Sequence, residues 1–161
     1  VWGAIITVFM LALSIGYLCG GRVSLHSPSL RRLALMLVVA ALTTLPILLY
    51  GDALLERLSA AIGDPRFGSL AGAALLFFVP TVVSGMISPY AVRLLVADLR
   101  GAGDRAGKLY FVSTFGSAAG TLATSFYLVL YLEVDQILWL MFAVSVLVGA
   151  AAWLRPAQAV A

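Results

Sequence analysis

Charged residues are missing from long runs of this chain and crowded into the short stretches between them. Residues 1–20, 33–50, 69–90, 109–132 and 136–154 contain no Asp, Glu, Lys or Arg. A helix rises about 1.5 Å per residue, so each run is roughly long enough to cross a hydrocarbon layer of about 30 Å. The pattern predicts an all-α polytopic transmembrane helix bundle over 1–161, with about five membrane-spanning helices. The stretch 51–67, GDALLERLSAAIGDPRF, reads differently. Leu54, Leu55, Leu58 and Ile62 recur at helical spacing, with Asp52, Glu56 and Arg57 elsewhere on the wheel. That predicts a short amphipathic helix lying at the interface and ended by Gly63-Asp64-Pro65.

Within the spans the small residues are unevenly placed. The fourth span opens with Ser113, Thr114, Gly116, Ser117, Ala118, Ala119, Gly120 and Thr121, then turns bulky at Phe126, Tyr127 and Tyr131. Gly116 and Gly120 share one helix face, where a neighbouring backbone can approach closely. Gly16 and Gly20 repeat the spacing at the end of the first span, and Gly85 sits in the third. The fourth span is therefore expected to be the central packing helix. Its partner is expected to be the first span through Gly16 and Gly20, or the third through Gly85, with a second copy of the chain as the alternative. Pro80, Gly85 and Pro89 interrupt the third span, which predicts a kinked or locally unwound helix held against the fourth span rather than lipid.

Composition sharpens the class. The chain has 161 residues, 63% of them hydrophobic and 11% charged. Soluble domains carry about 25% charged residues, so this balance belongs to an integral membrane protein. The net charge of +3 is no nucleic-acid footprint, because the basic residues lie in loops. Arg22, Arg31, Arg32, Arg93, Arg100, Arg105, Lys108 and Arg155 fall on one side of the expected layer. Only Arg57 and Arg66 fall on the other, with Asp52, Glu56, Asp64, Glu133 and Asp135. The positive-inside rule makes the first side cytoplasmic, with the C-terminus inside. Val1 opens an apolar run with no basic stretch before it, which reads as a span continued from upstream rather than a signal peptide.

Catalytic chemistry is scarce. The spans hold no Asp, Glu, Lys or His at mid-depth, which weighs against a proton relay. His26 is the single histidine and Cys19 the single cysteine, so neither a metal site nor a disulfide is expected, and no cofactor motif appears. The candidate site is a polar pocket between the third and fourth spans, from Ser84, Ser88, Arg93, Tyr110, Ser113 and Ser117, which lie at matching depth if the spans run antiparallel. A plainer arrangement of the same residues has the hydroxyls bonded to backbone carbonyls and Arg93 paired with Asp98.

Three segments carry a resemblance: VWGAIITVFMLALSIGYLCGGR, FVPTVVSGMISPYAVRLL and GKLYFVSTFGSAAGTLATSFYLV. Gly20, Gly21 and Arg22, then Gly85, Met86, Pro89, Arg93 and Leu94, then Gly107, Leu109, Tyr110, Gly116 and Gly120 are the positions concerned. In order and spacing the chain resembles the membrane part of bacterial spermidine-synthase-like membrane proteins, often described as fused major-facilitator transporter/spermidine synthases. The resemblance implies a bacterial inner-membrane location, an earlier span, and a following cytoplasmic synthase-like domain as partner. It also implies a role as anchor, dimerisation or polyamine-handling module. The synthase's nucleoside-binding loop and catalytic acid have no counterpart here, so no catalytic residue is carried over. The alternatives are a non-enzymatic accessory or scaffold subunit of a larger membrane complex, or part of a small transporter. The expected partners are the lipid bilayer, a second copy or other membrane subunits, and no nucleic acid.

Overall fold

A computed structural model describes residues 2–26, 28–96 and 101–154. Val1, the turn residue Ser27, Asp98, Arg100, Arg155 and Pro156 lie outside the described residues. Among those described, the chain is helical throughout and contains no strand. The helices are α1 (Trp2–Ser24), α2 (Leu30–Ala61), α3 (Pro65–Leu95), α4 (Ala102–Ala123), a π-helical turn (Thr124–Leu128), α5 (Val129–Tyr131) and α6 (Val134–Leu154).

Local chemistry sets the ends. Ser29 caps α2 with extended backbone, its side chain accepting from the Arg32 amide at 3.3 Å. At the far end Ile62 leaves the helix, and its amide still reaches the Leu58 carbonyl at 2.8 Å. Asp64 then caps α3, accepting from the Arg66 amide at 2.8 Å, with Pro65 in the first turn where its missing N–H costs nothing. Gly101 enters α4 at φ +83°, a left-handed conformation that favours glycine.

Four helices, α1, α2, α3 and α6, are long and apolar enough to cross a membrane, and the protein is membrane-associated. The expected fourth span is divided. Its apolar stretch begins after the charged first turns of α4, with Asp104, Arg105 and Lys108, and is interrupted by the π-helical turn. The interfacial helix expected at 51–67 does not stand apart either. Gly51 is buried inside α2, and the helix runs on through Asp52–Ala61 because nothing there breaks it before the Gly63-Asp64-Pro65 turn. The third span is likewise one continuous helix through Pro80, Gly85 and Pro89.

The packed helices form a row in the order α1, α3, α2, α6. The seam between α1 and α3 is the tightest. A Cβ on Gly16 would lie 3.0 Å from the Gly85 Cα, and one on Gly20 would lie 2.6 Å from the Met86 Cα. The backbones meet almost directly, and the buried positions of α1 are Val8, Ala12, Gly16, Gly20 and Ser24, one every fourth residue. Phe9 and Phe77 close the same seam with ring centroids 5.5 Å apart. Between α2 and α6, Gly149 fits against Val38 and Ala34. The third span thus packs on α1 and α2 and touches α4 only marginally.

Candidate functional site

Unlike the packed helices, α4 buries none of its residues, and neither do the π-helical turn or α5. Nothing lies within 4 Å of where a Cβ would sit on Gly116 or Gly120. Both glycines open into a groove of about 690 Å³ that Ser113, Ser117, Thr121, Thr124 and Ser125 also line, with Met141 of α6 at its edge. The expected close packing of this face on α1 or α3 is not present within one chain. Gly16 and Gly85 are taken up by one another and Gly20 by Met86, so none of these three is open to α4.

Most hydroxyls of the groove are unbonded among the described residues, as are those of Thr81, Ser84 and Ser88 in α3 and Thr114 in α4. Elsewhere Thr7, Ser14, Thr43, Thr44, Ser59, Ser69 and Ser145 each donate to a carbonyl of their own helix at 2.6–2.8 Å. In the groove Thr121 does so, to Ser117 at 2.8 Å, while Ser113, Ser117, Thr124 and Ser125 have no side-chain hydrogen bond among the described residues. Four unbonded hydroxyls on the apolar stretch of α4 and the π-helical turn favour a neighbour that supplies polar partners. The π-helical turn adds to this by widening the helix beside Thr124 and Ser125.

The predicted polar pocket does not form as one cavity. Ser113 and Ser117 belong to the α4 groove. Ser84 lines a separate hollow of about 260 Å³ between α2, α3 and α6, with Thr44, Pro80 and Ser145. Ser88, Arg93 and Tyr110 line neither. Matching depth placed these residues at one level, but α4 makes little contact with α3, to which Arg105 donates at the Leu95 carbonyl at 3.3 Å. Arg93 is exposed, and its suggested partner Asp98 is outside the described residues.

One polar tie was not singled out in the sequence. Tyr90 is fully buried, at 0% exposure, and its hydroxyl accepts from the Ser29 amide at 3.0 Å. The same hydroxyl lies 3.5 Å from the Ser29 carbonyl as donor. The bond fastens the end of α3 to the cap of α2. Nearby, the Arg32 guanidinium donates to the His26 carbonyl, and the Arg31 guanidinium lies 6.0 Å from the Trp153 ring centroid. These contacts bring the start of α2, the end of α3 and the end of α6 to one end of the row.

No group of three or more His, Cys, Asp or Glu is placed to hold a metal ion among the described residues, and Cys19 is a free, half-buried thiol. The groove offers hydroxyls and bare backbone, with no acid or base in it. Comparison of the chain with protein-family models, with curated proteins and with solved structures finds no match.

Proposed function

We propose that this chain is a membrane-embedded association module whose α4 binds the α4 of a second copy. The observation that carries the reading is the open Gly116–Gly120 face with its unbonded hydroxyls on a helix that buries nothing in its own chain. In lipid the hydrophobic effect gives helices little reason to associate, so close backbone packing and interhelical hydrogen bonds must supply it. A second α4 is the complementary occupant, because the spans' other close-packing glycine faces are occupied within the chain. Two such faces crossing at the glycines bring Ser113, Ser117 and Thr121 of each copy against the other's backbone.

The charge distribution supports an orientation with the α1–α2 and α3–α4 turns cytoplasmic. The three resembling segments support the further reading that the module serves a spermidine-synthase-like protein of a bacterial inner membrane, holding its catalytic domain at the membrane as a dimer. A scaffold subunit in a larger assembly uses the same face with a different partner.

The test is crosslinking between copies through cysteines placed at Ser117, in a background where Cys19 is replaced by Ala. Crosslinked dimer should form in vesicles. It should be lost in Gly120→Leu and kept in Leu128→Phe, a change of bulk at the end of the π-helical turn, outside the groove. Equal crosslinking in all three proteins, or none in the parent, defeats the reading.

A further inference from the structure

At the opposite end of the helices from Arg31 and Trp153, all four packed helices contribute to a hollow of about 340 Å³. Its walls are apolar: Ile5 of α1, Ile47 of α2, Leu76 and Phe77 of α3, and Leu138 of α6. Two carboxylates also line it, Asp52 from α2 and Asp135 from the first turn of α6. They are far apart in sequence and come to one hollow through the packing of α2 on α6. Neither has an ion-pair partner among the described residues, where the one salt bridge is Lys108–Asp104. Gly51 and Gly72, both buried, line the hollow as well, so no side chain fills it from those positions.

We infer that this hollow binds a small organic cation, an alkyl- or arylammonium, with its charged head by the Asp52 and Asp135 carboxylates and its apolar body against Phe77, Leu76 and Leu138. The volume lies at the lower end of the roughly 300–1,000 Å³ typical of small-molecule sites. A concave site with low-dielectric walls and charge of one sign concentrates the field of its two carboxylates and draws in cations. The apolar walls select among them, because a fully hydrophilic ion gains nothing from Phe77 or Leu138, while an alkyl or aryl body is removed from water there. The inference does not depend on α4 or on its association, since no residue of α4 lines the hollow.

The decisive measurement compares three probes with one body, hexylammonium, hexanol and hexanoate, by calorimetric titration into the full chain held in zwitterionic nanodiscs, with empty nanodiscs subtracted. Hexylammonium should bind at least about tenfold tighter than hexanol, and hexanoate should not bind, as expected for charge-assisted contacts. Asp52→Asn and Asp135→Asn should each weaken hexylammonium by about tenfold while leaving hexanol unchanged. Both side chains are exposed and the changes are isosteric, so unaltered melting of the variants confirms that the fold persists. Glu133→Gln, an acid of the same turn that does not line the hollow, should leave binding as it was. Equal binding of hexylammonium and hexanol, or an effect of Glu133→Gln as large as those of the two aspartate variants, overturns the inference.

Discussion

Replacing Gly20 by Ala and Gly120 by Ala should change stability in opposite directions, although the two glycines occupy similar motifs. At Gly20 the added methyl would sit 2.6 Å from the Met86 Cα and 2.9 Å from its carbonyl carbon. Carbon atoms in good contact are about 3.5–4.0 Å apart, so α1 and α3 must separate by roughly 1 Å. The Met86 carbonyl oxygen is met as well, and all three atoms are backbone, so no rotamer change relieves the clash. A radial gap of about 0.5–1 Å forfeits a quarter to a half of each dispersion contact along the seam from Val8 to Ser24. Overpacking of this kind costs about 1–3 kcal/mol. Alanine recovers about 1 kcal/mol of helix propensity relative to glycine. The expected net loss at Gly20 is therefore up to about 2 kcal/mol. At Gly120 nothing lies within 4 Å, so in the isolated chain only the propensity gain of up to about 1 kcal/mol remains. Reversible unfolding followed by steric trapping, at protein dilutions where the chain is monomeric, reads both values. If the two variants shift stability equally, close backbone contact is not what holds α1 to α3.

Other outcomes can be checked with simple variants. Tyr90→Phe removes the partner of the Ser29 amide and should cost about 0.5–1.5 kcal/mol in the same unfolding assay, a loss that Ser24→Ala, whose hydroxyl bonds only within α1 to Gly21, should not match. A double-mutant cycle between Arg31 and Trp153 should give a coupling of about 0.5–1 kcal/mol that Lys at position 31 largely keeps, whereas zero coupling would mean the ring and guanidinium are merely adjacent. For orientation, single cysteines at His26 and Ala102 should resist membrane-impermeant thiol reagents added to intact cells while one at Gly63 reacts, and the reverse pattern would invert the topology.

The membrane class was legible because an uncharged run of sufficient length has few other uses. The α1–α3 seam was partly legible too: Gly16, Gly20 and Gly85 were recognisable as places where backbones meet. Gly116 and Gly120 show the limit of the same signal. Spacing tells which face permits close approach but not whether a partner stands opposite, and here the two motifs have opposite surroundings. The polar pocket divided for a related reason. Position along the sequence gives the depth of Ser84 and Ser113 in the layer, but not their bearing around the axis. In the structure Ser84 borders α2 and α6, while Ser113 faces the open groove. Asp52 and Asp135 had looked like ordinary interfacial charges, since only the contact of α2 with α6 brings them to one hollow. The extension of α2 past Gly51 was hidden because glycine after an apolar run reads equally as a stop or as a close-packing position.

The row order also constrains how the protein is made. Helices α1 and α2 are consecutive in the chain, yet α3 stands between them and packs on both. A ribosome delivers α1 and α2 to the bilayer before α3 exists, so the first two cannot settle into their final arrangement as a hairpin. They must stay loosely held until α3 emerges and wedges in, its glycine meeting α1 and its Tyr90 hydroxyl catching the cap of α2. Synthesis therefore has a vulnerable interval, which closes only when α3 has left the ribosome. Chains truncated after Ala61 should be degraded quickly by membrane quality-control proteases, and chains truncated after Leu95 should persist. Equal lifetimes for the two would show that α1 and α2 are stable together without the helix that separates them.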